Sequence, residues 1–215
     1  MITIKKFTFN PFQENTYILF DETKECVVID PGCYDRDEKA ILLNFIEENS
    51  LNPVQLLNTH CHIDHVLGNY MISNEYNLKL AAHELEVPVL EGSHFWGSQY
   101  GIKGDLSPKI EQFLDEGDCV KFGNSKLDIL FVPGHSPGHI AFLNNDEKFI
   151  INGDVLFQGS FGRYDLPGGN LATLAKSIQT KLFTLPSNYK VYAGHMGETT
   201  IGIEKQSNPI LQYGT

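Results

Sequence analysis

THCHIDH, residues 59–65, packs three histidines, one cysteine and one aspartate into seven positions. A short apolar run, VQLLN (54–58), leads into it, and VLGNYMISNEYN (66–77) follows with the apolar spacing of a helix. The stretch therefore stands at a strand-to-helix junction. In an extended segment successive side chains alternate, so His60 and His62 project to one side and Cys61 to the other. At the helix start, Asp64 and His65 turn toward a second point nearby. One segment can thus feed two adjacent metals, which an ordinary cluster of core histidines is not arranged to do.

Upstream, ITIKKFTF (2–9), NTYILF (15–20) and CVVID (26–30) read as strands, separated by NPFQE and DETKE with their turn-forming Pro, Asn and Asp. Between Asp35 and Glu48, Ile41, Leu42, Phe45 and Ile46 share one face opposite the charges, the pattern of an amphipathic helix that Asn52 and Pro53 are expected to end. LKLAAH (78–83) reads as a strand. From Glu91 to Asp118 the pattern loosens around Phe95, Trp96 and Tyr100. Two readings stay open there: a surface excursion whose aromatics tuck onto the core, or a loop flanking a binding cleft. Strands resume at CVKF (119–122), KLDILFV (126–132), HIAFLN (139–144) and KFIIN (148–152). NLATLAKSIQTKLF (170–183) reads as a helix, KVYAG (190–194) as a strand leading to His195, and TTIGIEKQSNPIL (199–211) as one further helix. Strands with interspersed helices in both halves, and no low-complexity linker, predict one α/β domain of layered sheets over residues 1–215.

The bulk composition narrows the partners. Sixteen basic residues against 27 acidic ones give a formal charge of −11 without a Lys/Arg cluster, a field that repels nucleic acid and anionic membranes. The N-terminal segment alternates apolar and polar residues as a strand does, unlike a signal peptide, and no stretch has the ~18 apolar residues of a membrane span. Cys26, Cys33, Cys61 and Cys119 form no CxxC pair and are sparse for a disulfide framework, so they read as thiols of a cytoplasmic protein.

Five of the eight histidines fall at the ends of strands: His60, His62 and His65, then His135 after FVPG and His195 after VYAG. Asp64 and Asp154, the latter in FIINGD, share that placement. A single histidine after a strand is most often a turn or core residue; the case rests on the combination. Rigid strands that each end in a ligand type fix a metal cluster at one sheet edge and leave the loops for substrate.

The HxHxDH pattern of His60, His62, Asp64 and His65 resembles the signature of the metallo-β-lactamase superfamily, and DPG (30–32), His135 in PGHSPGH, Asp154 in NGDVLF and His195 in AGHMGETT are similar to its later elements. That resemblance implies a four-layer αββα sandwich. It also implies one metal on His60, His62 and His135, a second on Asp64, His65 and His195, and Asp154 bridging them. GDVLFQGSFGRYDLPGGN (153–170) and GHMGETTIGIEKQSNP (194–209) look most like short bacterial glyoxalase II-like hydrolases. The implied cofactors are two divalent ions, zinc by default, although iron or manganese also suit imidazole and carboxylate. The implied substrate is a small-molecule thioester such as S-D-lactoylglutathione, attacked by a hydroxide that both metals share. Asp64, acceptor-only when ionised, would orient the attacking oxygen, and Asp154 would hold both metals.

Further roles are expected around this set. Asp30 either orients a ligand histidine or simply forms its turn. Arg163 meets a substrate carboxylate or braces its loop through Asp165, the brace being favoured. His139 reads as structural support and His83 and His94 as ordinary histidines. No separate C-terminal helical glutathione-binding domain is expected, so Phe95, Trp96 and Tyr100 become candidates for a replacement groove. The competing readings are a single-iron persulfide dioxygenase using His60, His135 and Asp154, a lactone or ester hydrolase, a β-lactam hydrolase, and a non-catalytic zinc module.

Overall fold

The computed structural model describes residues 1–214. Strands β1 (Thr3–Phe9), β2 (Glu14–Phe20) and β3 (Glu25–Ile29) form an antiparallel meander, followed by helix α1 (Arg36–Glu48). Then come β4 (Asn52–Leu57), α2 (Ile63–Val66), α3 (Asn69–Tyr76), β5 (Leu80–Ala82), α4 (Val87–Gln99) and β6 (Ile110–Phe113). The second half comprises β7 (Cys119–Phe122), β8 (Ser125–Phe131), β9 (Ile140–Asn144), β10 (Phe149–Gly153), the short hairpin β11 (Leu156–Phe157) and β12 (Ser160–Phe161), and α5 (Leu171–Thr180). It closes with β13 (Lys190–Ala193), β14 (Thr199–Thr200) and α6 (Ile201–Ser207). One sheet has the order β1-β2-β3-β4-β5-β6, parallel from β3 onward; the other runs β14-β13-β10-β9-β8-β7, with β10 and β13 parallel.

Strand alternation divides the apolar residues into three layers of core. Tyr17, Leu19, Val27 and Ile29 face Ile129, Phe142 and Ile151 between the two sheets. Their neighbours Ile18 and Val28 point the other way, onto Leu42 and Ile46 of α1 and Ile72 of α3. On the far side Ile150 and Val191 meet Leu174 and Ile178 of α5 and Ile201 of α6. The result is the helix–sheet–sheet–helix sandwich expected from the sequence. Among the described residues no helix is long and apolar enough to cross a membrane.

Two expectations need correction. Helix α1 ends at Glu48, with Ser50 in the left-handed region (φ 52°), and Asn52 and Pro53 open strand β4 instead of serving as the stop. The segment after Glu91 is not a loop from its start: Val87–Gln99 is helical, with Pro at the helix start, where its missing N–H costs nothing. Of the small residues that weaken the helical pattern, Gly97 has a packing role. A Cβ on Gly97 would meet the Ile63 side chain at 2.8 Å, so glycine lets α4 close onto α2.

Candidate metal centre

Parallel strands β3, β4 and β5 end at the same edge, and β10 and β13 deliver their ends beside them. Asp30 follows β3, residues 58–65 follow β4, Asp154 follows β10 and His195 follows β13. The sheets are stitched at this edge. Asn15 N–H donates to Gly194 O at 2.7 Å, Ile140 N–H to Thr59 O at 2.9 Å, and the Tyr17 hydroxyl to Ala193 O at 2.7 Å. A Cβ on Gly194 would meet the His65 ring at 2.7 Å and strike Asp154, so only glycine lets β13 come this close.

All seven residues singled out from the sequence converge. The ring nitrogens of His60, His62 and His135 form one group, with His62 Nδ1 2.9 Å and His60 Nε2 3.2 Å from His135 Nε2. Asp64, His65 and His195 form another; His195 Nε2 lies 3.2 Å from Asp64 Oδ2. Asp154 touches both, 3.6 Å from His135 Nε2, 3.6 Å from His65 Nε2 and 3.4 Å from His195 Nε2.

The outward nitrogens explain where the lone pairs point. His135 Nδ1 donates to Arg163 O at 2.7 Å, and His195 Nδ1 to Phe12 O at 3.1 Å. His65 Nδ1 donates to Asp30 Oδ2 at 3.2 Å. Thr59 Oγ1 gives its proton to Asp30 Oδ2 at 2.6 Å and accepts from His60 Nδ1 at 3.0 Å. Each of these four rings thus spends its N–H on the protein and aims an Nε2 lone pair at the centre. Buried His65 Nε2 and Asp154 Oδ1 have no hydrogen-bond partner at all. Unpartnered buried polar atoms facing one another among imidazoles and carboxylates are what cations would satisfy, so the donor set fits two divalent ions.

The electrostatics split along the same line. Burial, reinforced by neighbouring imidazoles, holds His60 well below its ordinary range and His62 down to about 3; burial also lowers His135. These rings are neutral at neutral pH. In the other group burial disfavours charge on every member, but mutual attraction prevails. Asp64 and Asp154 push His65 well above its usual value, and Asp154 takes His195 to about 10. Their imidazoles in turn hold Asp64 low and Asp154 well below the carboxylate range. Without a metal, protons on Nε2 of His65 and His195 occupy the lone pairs that a cation would take and supply the positive charge these carboxylates require.

Around the centre, Asp30 fulfils both roles considered for it. It sits in the left-handed region (φ 49°) and accepts from Thr59 N, Asn58 Nδ2 and His65 Nδ1. His139 stacks on the His60 ring at 4.7 Å and accepts from Asp154 N at 3.1 Å, so it supports both without facing the centre. The Cys61 side chain lies in the apolar cluster under the sheet. His83 caps its own turn through Leu85 N, and His94 contacts Asp105 O. Arg163 is paired with Asp165 through two bonds of 2.8 and 2.9 Å, the brace. Trp96 on α4 and Tyr100, four residues on at the cap of its C-terminal end, line the cavity over the centre; Phe95 does not. It is 62% exposed and meets Trp96 edge-on at 5.3 Å, because one helical step rotates it off that face.

Two buried carboxylates escaped the sequence reading. Glu86 accepts from Cys61 N at 2.8 Å, Gly138 N at 2.7 Å and Ser136 Oγ at 2.5 Å, tying together the loops that carry His60, His62 and His135. Glu14 lies beside His65, its Oε1 3.8 Å from Nδ1, and burial pushes its carboxyl well above the usual range. The available signal for Glu14 was its place at the head of the apolar strand run NTYILF, as the first residue of β2, which is buried through Leu19; Glu86 carries none.

The profile of the metallo-beta-lactamase superfamily matches residues 9–195. Hydroxyacylglutathione hydrolase GloC of Haemophilus influenzae is 38% identical over 207 residues, covering 93% of each chain. Among solved structures, TTHA1623 in a di-iron-bound form superposes with a TM-score of 0.86 at 36% identity, over 95% of this chain and 98% of its own. The BLEG-1 B3 metallo-beta-lactamase superposes with a TM-score of 0.86 at 32% identity, over 97% and 99%. With that fold, that edge and those ligand clusters, the chain belongs to the metallo-β-lactamase superfamily and has the equipment of a metal-dependent hydrolase.

Proposed function

We propose that this protein hydrolyses thioesters, with S-D-lactoylglutathione the first substrate to test, and that residues 1–215 act as one domain. The observation that carries the reading is the pair of ligand groups joined by Asp154; the likeness to a hydroxyacylglutathione hydrolase supports the substrate class. His60, His62 and His135 would hold one ion, Asp64, His65 and His195 the other, with Asp154 between them. Zinc is our assignment, and the di-iron form of TTHA1623 makes iron the alternative to load beside it. When bound, the two ions supply a water acidified toward pKa ~7 and a Lewis acid for the acyl oxygen.

The chain's own residues do the rest. Asp64 is half-buried and open to the cavity, where its carboxylate accepts a hydrogen bond from the attacking oxygen and fixes its direction. Asp30, Thr59 and the Arg163 carbonyl lock the imidazole tautomers, so the centre needs no rearrangement during the reaction. A thiolate leaves with a pKa near ~8.5 and needs no strong acid. No serine or cysteine nucleophile is required. The four cysteines are unpaired, which supports the cytoplasm as the compartment.

The test is a panel of S-D-lactoylglutathione, a lactone, a β-lactam and glutathione persulfide, run with zinc- and iron-loaded protein while oxygen is monitored. Thioester cleavage without oxygen uptake is the expected result. The likeness to BLEG-1 favours lactam opening as the second reading, and lactam turnover without thioester turnover would establish it instead. Oxygen uptake on the persulfide would replace the hydrolase with a dioxygenase.

A further inference from the structure

The cavity above the centre is far larger than a lactoyl group requires. Its volume is about 740 Å³, within the range that encloses a drug-sized ligand. Its walls are apolar: Phe12 from the β1–β2 turn, Trp96 from α4 and Tyr100 at its C-terminal cap, Phe157 and Phe161 from the β11–β12 hairpin, and Leu166 beyond it. Phe12 and Tyr100 meet edge-on at 5.6 Å across two elements distant in sequence, so the wall is continuous. Apart from the residues of the metal centre, Arg163 is the only cation among the described lining residues, and Asp165 already pairs with the Nε–Nη2 edge of its guanidinium.

Glutathione brings two carboxylates and an ammonium. Seating all of it against aromatic rings would strip those charges of water with a single, already paired cation in return, an unfavourable exchange. In a chain of formal charge −11 the surrounding field adds to that penalty. Of the two halves of a thioester, the carrier thiol is the polar one and the acyl group the variable one. The apolar wall therefore matches the acyl half, while the carrier points to solvent past the exposed Arg163.

We infer that the cavity selects thioesters with an apolar acyl group, a medium-length alkyl chain or an aryl ring, over small hydroxyacyl thioesters. This rests on the thioesterase reading and narrows its substrate class. Trp96 and Leu166, on separate elements, act as specificity-determining residues.

The experiment holds the carrier constant: S-acetyl-, S-butyryl-, S-hexanoyl-, S-phenylacetyl- and S-D-lactoylglutathione, assayed by kcat/KM with metal-loaded wild type, Trp96→Ala and Leu166→Ala. A fully buried methylene gains up to about fourfold. The expected result is kcat/KM rising severalfold from acetyl to hexanoyl, phenylacetyl exceeding lactoyl, and a smaller hexanoyl-to-acetyl ratio in both variants. A flat series, a lactoyl optimum, or an unchanged ratio in both variants overturns the inference and leaves thioester hydrolysis standing. If none of the five is cleaved while the β-lactam or persulfide turns over, the thioesterase reading itself falls, and the inference with it.

Discussion

Replacing Glu86 tests whether the three-histidine group is held from behind. Its carboxylate accepts from two backbone N–H groups, Cys61 and Gly138, and from the Ser136 hydroxyl. The residue is completely buried, so water does not substitute for it without rearrangement. The hydroxyl can rotate to a new acceptor, but the two amides cannot. At about 1–3 kcal/mol for each buried donor left unmatched, Glu86→Ala should cost about 2–6 kcal/mol. Glu86→Gln can keep Ser136 and Gly138 on its carbonyl and turns an NH2 toward Cys61 N–H, which leaves one mismatch and about 1–3 kcal/mol. Urea unfolding of metal-loaded protein gives both numbers, and competition with a chelator gives affinity. That affinity should fall roughly 10–100-fold for Ala, because the loops carrying His60, His62 and His135 lose their common anchor. A Glu86→Ala cost below about 1 kcal/mol with unchanged affinity would refute the reasoning, as would a Gln variant less stable than Ala.

Protonation provides a second handle. His195 rises from 6.5 to about 10 beside Asp154, so its proton stabilises the metal-free fold fully below about pH 6.5, and that contribution is lost as pH climbs through about 10. Metal binding has the opposite sign, since Nε2 must lose its proton to ligate: affinity should rise across pH 6.5–10, with proton release visible by calorimetry in buffers of different ionisation enthalpy. A pH-independent affinity would remove His195 from the ligand set. Asp30→Asn frees His65 directly and His60 only through Thr59, so it should weaken the metal held by His65 about 10–100-fold and the metal held by His60 less; a greater loss at the His60 metal would count against this relay.

The sandwich and the ligand set were legible because each rests on short-range pattern. Alternation in ITIKKFTF and HIAFLN marks strands, and residues such as His135, Asp154 and His195 stand directly after apolar runs. What was not legible depends on partners brought in from elsewhere in the chain. Glu86, in HELE, reads as a solvated helix start; its burial exists only because the 133–139 loop arrives some fifty residues later. Glu14 looks like a turn residue until β13 brings His195 beside it. Helix α4 was obscured by Gly92, Ser93, Gly97 and Ser98, and at Gly97 the small size is what the contact with Ile63 of α2 demands. Phe95, Trp96 and Tyr100 stand close together in the sequence, and only the helix geometry separates Trp96 and Tyr100, which line the cavity, from Phe95.

The central claim is that Asp154 joins two metal half-sites into one reaction centre. Metal equivalents per chain, determined by inductively coupled plasma mass spectrometry on wild type and Asp154→Ala after identical loading and gel filtration, test it most directly. Two equivalents in the wild type and a clear loss in Asp154→Ala are predicted from the two ligand groups. A single equivalent in the wild type, or two retained by the variant, would contradict it.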